Sequence, residues 1–408
     1  MICNSNNESE NILFSDSDSL ENYLQNYEFS FSSEKKSSQN QKSFELTNNE
    51  LLYIFEEINK EDQKSISSNK LSFLHKKRHI KLKKIETIYN PERFIYYNQK
   101  KNLSKKEKIS VLSYNILNQC CIKKNPTEEN GLFINDRMKK IKTEILSLNP
   151  DIFCLQEGDI KVFNDYFKND EKFTIYNLSY GFNCGSSFIN IIGYKKHKFT
   201  LKSLKNFTLI NMDKNSGNRG LLNVDLENKN GKIISVYNVH LPWRNQNDRA
   251  YMIKLLFEHI KEKYLLNSEY KNILIMGDFN SEPWTQIIKL FYHKKFLKEI
   301  QKNEYNETID NKLLKLCKFV GEFLNFNSAY QCYSKTKFNN NDYMRHPKFT
   351  NRSKYFKETI DYIFFSNTFK IKKILKLPSN YEVDKDEFLP SKDFPSDHLK
   401  LFAELEMK

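Results

Sequence analysis

The stretch Ile273–Ser281 has the sequence ILIMGDFNS and joins an apolar run to a group of polar side chains. Its first part, Ile273–Met276, is apolar and has the length of an interior strand. Asp278 and Asn280 follow this run almost at once. A carboxylate and a carboxamide at the end of a buried strand predict a polar site at the edge of a sheet. A loop that caps the next helix is the ordinary alternative.

Other segments predict the elements around this strand. Short apolar runs rich in Ile, Val, Leu and Phe occur at Ile109–Ser113, Ile152–Leu155, Ile233–Val239 and Ile360–Phe365. Two longer segments repeat apolar residues at helical spacing. The first contains Met138, Ile141, Ile145 and Leu148 and stops at Pro150, and the second contains Ala250, Ile253, Leu256, Phe257 and Ile260. Strands in two sets with helices outside predict a layered α/β sandwich, in which polar residues at strand ends converge on one rim.

Side chains with metal-binding or acid–base chemistry lie at the ends of the predicted strands and in the C-terminal Ser396–His398 stretch. These residues are Asn115, Glu157, His240, Asp278 with Asn280, Asp361, and Asp397 with His398. Taken singly, Asn115 is explained as a turn cap and Glu157 as a solvent-facing side chain. Taken together, they predict a site for a hard cation such as Mg²⁺, which takes oxygen ligands from one or two carboxylates and otherwise keeps water and substrate phosphate.

Composition limits the class of protein. The 408 residues are 39% hydrophobic, with 32 Phe and 23 Tyr, which suffices for a large sheet-based interior. The seven cysteines are odd in number and contain no CxxC pair, so we expect a reducing compartment and no structural zinc. No run of eighteen apolar residues and no signal peptide is found, which predicts a cytoplasmic protein that does not bind membranes, with the nucleus as the alternative location.

Charge and composition predict two regions. Residues 1–70 contain 6 basic and 13 acidic residues, residues 71–108 contain 12 basic and 3 acidic ones, and residues 109–408 have a net charge of +12. We predict a disordered or weakly ordered leader with a basic linker over residues 1–87, in which Leu51–Ile58 forms a helical turn or two. The basic stretch Lys76–Lys84 is a nuclear signal or a solvated linker. A basic ordered domain over 88–408 gives weak support for a polyanionic substrate.

Six signatures, taken in order, resemble the endonuclease/exonuclease/phosphatase superfamily of deoxyribonuclease I-like folds. They are Tyr114–Leu117, Leu155–Glu157, His240-Leu241, Gly277–Ser281, Asp361–Ile363 and Pro395–His398, with the lead-in Pro91–Phe94. The resemblance covers residues 88–408. It implies a catalytic domain built as a four-layer α-β-β-α sandwich, with two packed mixed sheets flanked by helices.

Several stretches are similar to one branch, that of the carbon-catabolite-repressor type deadenylases, nocturnin, Angel and the 2′,5′-phosphodiesterases. These stretches are Ser113–Gln119, Gly277–Pro283, Asn327–Tyr330, Phe349–Asn351, Leu377–Ser379 and Phe394–Leu399. The Trp-Cys-Asp-Arg and Gly-Asp-Leu-Asn signatures of inositol polyphosphate 5-phosphatases do not occur in the sequence.

The resemblance implies a role for each site residue. Glu157, helped by Asn115, would hold Mg²⁺, with Mn²⁺ as a substitute. Asp278 would deprotonate the attacking water, and Asn280 would orient water and phosphate.

The remaining residues would act on the phosphate. His398 would donate a hydrogen bond or proton to it, and Asp361 would orient the imidazole. Asp397 would be a second metal-side or leaving-group carboxylate, and His240 a phosphate ligand. Trp243, three residues past His240, would stack on a base of the substrate.

The implied function is that of a 3′-to-5′ exoribonuclease acting on RNA poly(A) tails. A phosphodiesterase or phosphatase acting on a small nucleotide or a 2′,5′-oligonucleotide is the main alternative. An apurinic-site DNA endonuclease, a sphingomyelinase and an inactive scaffold remain open. A serine nucleophile at Ser281 or Ser396 is disfavoured because no Gly-x-Ser-x-Gly elbow occurs. No leucine-rich repeat precedes the domain, so docking to a deadenylase complex is not expected.

Overall fold

The computed structural model describes residues 93–97, 106–122, 127, 130–168, 170–182, 188–208, 220–292, 311–331, 333 and 346–408. All of these residues belong to one unit, Ile80–Lys408. The predicted leader 1–87, the turn at Leu51–Ile58 and the basic stretch Lys76–Lys84 lie outside the described residues. The boundary between residues 87 and 88 therefore stays a prediction.

The described residues form fifteen strands. They are β1 Phe94–Tyr96, β2 Lys108–Asn115, β3 Ile152–Asp159, β4 Tyr176–Phe182, β5 Phe188–Lys195, β6 Phe199–Thr208, β7 Gly220–Asn228, β8 Ile233–His240, β9 Asn272–Asp278, β10 Asn327–Ser328, β11 Asn351–Arg352, β12 Lys357–Glu358, β13 Asp361–Phe365, β14 Phe369–Leu375 and β15 Leu401–Met407. All five strands predicted from apolar runs are among them, as β2, β3, β8, β9 and β13.

The helices are α1 Ile134–Leu148, α2 Ile160–Phe163, α3 Gln246–Leu266, α4 Gln286–Lys289, α5 Asn311–Phe323 and α6 Asn380–Val383. Both predicted helices are confirmed, as α1 and α3. Helix α1 ends at Leu148 because Asn149 adopts the left-handed conformation with φ +46°, and Pro150 follows. None of the helices within the described ranges is both long enough and apolar enough to cross a membrane.

Two mixed sheets make up the centre of the domain. The first sheet has the strand order β1-β14-β15-β2-β3-β5-β4, and the second has the order β10-β13-β9-β8-β7-β6. The pairs β2–β3 and β8–β9 are parallel, and the other pairs within these two sheets are antiparallel. Each parallel pair is joined through a helix, α1 or α3, so the two strands of a pair end at the same edge of their sheet.

Successive side chains along the strands point to opposite faces of each sheet, and this alternation produces three hydrophobic layers. In β2, Val111 contributes to the core between the two sheets, whereas Leu112 faces the cluster under α1. In β9, Met276 contributes to the same central core and Ile275 to the cluster under α3 and α5. Helices therefore cover the outer faces of both sheets, and the predicted four-layer α-β-β-α sandwich is confirmed.

Candidate active site

The second sheet places three site residues side by side. The parallel register of β8 and β9 pairs His240 with Asp278, and the antiparallel register of β9 and β13 pairs Asp278 with Asp361. Met276 lies two residues before Asp278 and belongs to the core between the sheets. Because side chains alternate along a strand, the three polar side chains continue this inner face beyond the apolar core.

The first sheet contributes Asn115 and Glu157 from the ends of β2 and β3. The register of β3 against β5 shifts between Leu155 and Gly158, and Glu157 within this bulge has φ +59°. Gln156 faces the second sheet, so in a regular strand Glu157 would face the opposite side. The bulge instead brings its carboxylate to Asn115, whose Nδ2 lies 3.3 Å from Glu157 Oε1.

The Asn115 amide joins the two sheets at this point. Its Nδ2 donates to Glu157 Oε1 at 3.3 Å and to Asp278 Oδ2 at 3.1 Å, and its Oδ1 accepts from the Leu117 backbone at 3.0 Å. The backbone N–H of Asn118 donates to Glu157 Oε2 at 3.2 Å. Carboxylates from two different sheets are thus held at fixed positions by neutral donors, with no cationic side chain in these contacts.

His398 and Asp361 form an oriented pair. His398 Nδ1 lies 3.1 Å from Asp361 Oδ1 and 2.9 Å from Oδ2, and Thr350 Oγ1 donates to Asp361 Oδ2 at 2.6 Å. His398 Nε2 faces Asp278 Oδ2 at 3.7 Å. Burial alone would lower the pKa of His398, but the charges of Asp361 and Asp397 and the hydrogen bond to Asp361 hold that pKa well above its ordinary value.

Negative charge accumulates around Asp278. Burial, together with the charges of Asp361 and Glu157, raises the pKa of Asp278 to about 7. Asp278, Asp361 and His398 offer ligand atoms that all lie within 4.8 Å of one another. Because Asp361 is already bonded to His398 Nδ1, we interpret this trio as an acid–base pair next to a carboxylate rather than as a complete metal site.

One carboxylate oxygen of Asp397 lies in an environment that suits a cation. Its Oδ1 is buried and makes no hydrogen bond within the described part of the chain, and it lies 3.9 Å from His398 Nε2. Burial and the charge of Glu157 raise the pKa of Asp397, although the charge of His398 opposes them. A buried carboxylate oxygen without a donor, close to a second carboxylate, is the environment that a hard cation satisfies. The donor set at Glu157 and Asp397 therefore fits Mg²⁺.

The structure also places the remaining predicted residues. His240 Nε2 lies 3.7 Å from Glu157 Oε1 and 3.6 Å from Asp278 Oδ2. The backbone N–H of Asn280 donates to Asp278 Oδ1 at 2.8 Å, and its Nδ2 donates to Leu241 O at 2.8 Å. Trp243 is 55% exposed on the loop that follows β8. All the predicted site residues thus belong to one rim or its adjoining loops, while their roles stay predictions.

The backbone of β8 approaches residue 277 so closely that this position must be a glycine. Its φ is +144°, and a Cβ at this position would lie 1.9 Å from Val239 O. Since Val239 precedes His240 and Gly277 precedes Asp278, the missing side chain lets the two site residues come into register.

Several residues that support the site were not predicted from the sequence to be site residues. They are Arg137, Thr350, Asn238 and Asn118, which contact the site residues or the segments that carry them. For Arg137 a signal existed, because it lies four residues before Ile141 on the apolar stripe of α1. A cation at a core position of a helix indicates a buried network of hydrogen bonds.

Comparison with known proteins gives consistent results. Residues 112–398 match the model of the Endonuclease/Exonuclease/phosphatase family. The chain is 26% identical over 306 residues to a protein of Vairimorpha ceranae named probable CCR4-Not complex 3′-5′-exoribonuclease subunit Ccr4, covering 67% of this chain and 58% of that protein. It is 24% identical over 305 residues to mouse 2′,5′-phosphodiesterase 12, covering 68% and 47%. The chain thus spans about half the length of these curated relatives.

Among solved structures, the chain is similar to ANGEL2, described as a 2′,3′-cyclic phosphatase, in complex with adenosine-2′,3′-vanadate. The TM-score is 0.59 at 22% identity, and the match covers 77% of this chain and 98% of that one. At this identity the likeness concerns the fold.

Proposed function

The chain belongs to the Endonuclease/Exonuclease/phosphatase family, in the branch of Ccr4, nocturnin and Angel, and we propose that it is a Mg²⁺-dependent 3′-to-5′ exoribonuclease that shortens the adenosine tails of RNA. Membership of the family identifies its domain as a hydrolase of phosphoric diesters. The single observation that carries the proposal is the convergence of Glu157, Asp278 and the Asp361–His398 pair on one rim between the sheets.

Glu157 and Asp397, with Asn115 beside them, are the residues that would hold the cation. A divalent ion held there would neutralise negative charge on the phosphate. The unpartnered Oδ1 of Asp397 supports this assignment. Asn115 acts chiefly through its Nδ2, which fixes Glu157 and Asp278 relative to each other.

The chemistry proposed for the protein's own residues is a hydrolysis by water. Asp278 takes the proton of the water that attacks phosphorus, and Asn280 holds the loop beside Asp278 through its backbone N–H. His398, whose Nδ1 is held by Asp361, donates a hydrogen bond through Nε2 to the phosphate. The bond between phosphorus and the 3′ oxygen breaks, and this oxygen takes up a proton from solvent and leaves as a hydroxyl. His240, which lies between Glu157 and Asp278, donates a further hydrogen bond to the phosphate.

Two observations support RNA as the substrate. The relative from Vairimorpha ceranae is named a 3′-5′-exoribonuclease subunit, and Trp243, three residues past His240, presents an exposed aromatic ring on which a base can stack. A second candidate is a phosphodiesterase acting on 2′,5′-linked oligonucleotides or a small nucleotide. It is favoured by the similarity to 2′,5′-phosphodiesterase 12 and to the 2′,3′-cyclic phosphatase ANGEL2.

The test is a time course on 5′-labelled RNA that ends in an adenosine tail, with Mg²⁺ or with a chelator. A tail of another base, a 2′,5′-linked oligoadenylate and abasic duplex DNA serve as competing substrates, and Asp278→Ala is the inactive control. A Mg²⁺-dependent ladder that shortens the adenosine tail from its 3′ end supports the proposal. Preferential cleavage of the 2′,5′-linked oligomer would favour the second candidate, and cleavage of DNA alone would reject both.

The metal assignment has its own test. Calorimetric titration with Mg²⁺ and with Mn²⁺ should show weaker binding to Glu157→Gln and Asp397→Asn than to the unmodified protein. Asp159→Asn is a matched control because Asp159 follows on the same strand and bonds instead to the backbone of α2. Equal affinity in all four proteins would reject the assignment independently of any activity.

A further inference from the structure

The chain contains two tryptophans, and both are exposed on the loops that follow β8 and β9, the strands that end at His240 and Asp278. Trp243 is 55% exposed and Trp284 is 59% exposed. Trp243 lies three residues after His240, and Trp284 lies four residues after Asn280. Tryptophan has the largest aromatic face of any side chain, so two exposed rings on loops that follow the site strands offer a surface for a ligand with flat rings.

The loops that carry the two rings are neighbours. They follow β8 and β9, which pair in parallel and end at His240 and Asp278. The Leu241 N–H donates to Asp278 O at 2.9 Å, and Asn280 Nδ2 donates to Leu241 O at 2.8 Å. The two loops are therefore bonded to each other where they leave the sheet.

Each loop is also held by hydrogen bonds of its own. Arg249 Nη1 donates to Pro242 O at 3.0 Å and to Trp243 O at 2.9 Å. On the other loop, Thr285 donates from its backbone and from Oγ1 to Glu282 O at 3.0 and 2.7 Å. Fixed loops present the rings at low entropic cost, which favours binding of a flexible ligand.

The charge beside Trp243 indicates the chemistry of that ligand. The guanidinium of Arg244 lies 4.7 Å from the centre of the Trp243 ring. A flat aromatic face next to a cation suits a nucleotide, whose base stacks on the ring while its phosphate meets the arginine. A stacked base must be unpaired, because the bases of a duplex already stack on one another.

We propose that Trp243 and Trp284 form a stacking platform for unpaired bases adjacent to the scissile phosphate, with Arg244 contacting the backbone of the strand. The platform selects single-stranded over duplex nucleic acid. This inference rests on the proposed function, since it takes the rim between β8 and β9 as the place where the phosphate is cut.

The experiment uses the intrinsic fluorescence of the two rings, which supply all the tryptophan emission of the chain. Single-stranded RNA and the matching duplex are titrated into the full-length Asp278→Ala protein with Mg²⁺, so that nothing is cleaved. Trp284→Phe leaves the emission of Trp243, and Trp243→Phe leaves that of Trp284. We expect single-stranded RNA to quench both rings and the duplex to quench neither.

Affinity gives a second readout. Trp243→Leu and Trp284→Leu should each weaken binding of single-stranded RNA about tenfold, the effect expected for one stacked base. Tyr381→Leu, which removes a 78% exposed aromatic ring on α6, is the matched control and should bind as tightly as the parent. Unquenched emission with unchanged affinity in both leucine variants would overturn the proposal, as would equal quenching by the duplex.

The two proposals fail in distinguishable ways. If the unmodified protein shortens RNA but neither ring responds to RNA, the platform is rejected and the proposed function stands. If RNA quenches both rings and the unmodified protein cleaves no RNA, the platform stands as a binding surface and the exoribonuclease function is rejected.

Discussion

Arg137 Nε donates a 2.7 Å hydrogen bond to the carbonyl oxygen of Pro395, which lies 258 residues further along the chain. The same guanidinium donates to Ile116 O and Leu117 O at 2.6 Å each, and its side chain is completely buried. Burial lowers the pKa of Arg137 to about 10, so the group remains charged at neutral pH. Helix α1 therefore fastens the segment that follows Asn115 to the segment that leads to His398.

We predict that Arg137→Met destabilises the protein and lowers its activity. The substitution leaves three buried carbonyl oxygens without their donor, at a cost of about 3–5 kcal/mol in the free energy of unfolding. Arg137→Lys keeps the charge but loses the planar fork, so we expect kcat for RNA cleavage to fall at least about tenfold with a smaller loss of stability. Denaturant unfolding and steady-state kinetics measure the two effects.

Lys139→Met is the control, because Lys139 is exposed on the same helix. It should change neither quantity measurably. Full activity in the folded Arg137→Lys protein would limit Arg137 to a role in stability and remove its role in positioning His398.

Asp361→Asn tests the pairing with His398. An amide presents a different donor and acceptor to His398 Nδ1, which disturbs the tautomer and the orientation of Nε2. We expect kcat to fall by about 10²- to 10⁴-fold with KM nearly unchanged, the range for general acid–base groups and their orienting partners.

The same variant distinguishes an orienting residue from a metal ligand. Because Asp361, Asp278 and His398 form a compact cluster, Asp361 would be the ligand if Asp361→Asn abolished Mg²⁺ binding in a calorimetric titration. Retained binding together with reduced kcat supports the orienting role.

The sequence predicted the layers and the convergence of polar strand ends, because both follow from local periodicity. Strands β9 and β13 are apolar on both faces, so the sequence predicted that Asp278 and Asp361 lie at strand ends on one rim but did not predict the face that each carboxylate occupies. The bulge at Glu157 was not predictable in this way. It is a change of register between β3 and β5, and it depends on strands that are far apart in the sequence.

Asn238 shows why a feature such as this bulge cannot be predicted from the sequence of one strand. It is completely buried between the sheets, and its Nδ2 donates to Leu155 O at 2.8 Å and to Ile191 O at 2.9 Å, on the two strands that flank the bulge. Its Oδ1 accepts from Gln156 Nε2 at 2.7 Å. A side chain of the second sheet thus satisfies backbone groups of the first.

We predict that Asn238→Leu lowers the free energy of unfolding by about 2–4 kcal/mol, since it leaves two carbonyls and the Gln156 amide unpaired in the core. Asn238→Leu combined with Gln156→Leu should cost less than the sum of the two single changes, because neither partner is then left without the other. Denaturant unfolding of the four proteins gives the coupling energy. Strict additivity would contradict a direct interaction between the two side chains.

The stability of the protein is expected to depend on pH through His259 on α3. Its Nδ1 lies 3.0 Å from the Tyr237 hydroxyl, and burial together with the charges of Lys263 and Lys205 lowers its pKa to about 3. The unfolded chain has an ordinary histidine with a pKa of about 6.5 and binds a proton between these two values, whereas the folded protein does not. The contribution of His259 to stability is therefore fully present above pH 6.5 and is lost as the pH falls toward 3.

At pH 5 this loss reaches about 2 kcal/mol of the free energy of unfolding for one histidine. Urea unfolding at pH 7.5 and pH 5 should show a smaller difference for His259→Gln than for the unmodified protein, because glutamine does not titrate in this range. His197→Gln, which removes an exposed histidine, should keep the full difference. If all three proteins lose the same stability between the two pH values, His259 is not held neutral in the folded state.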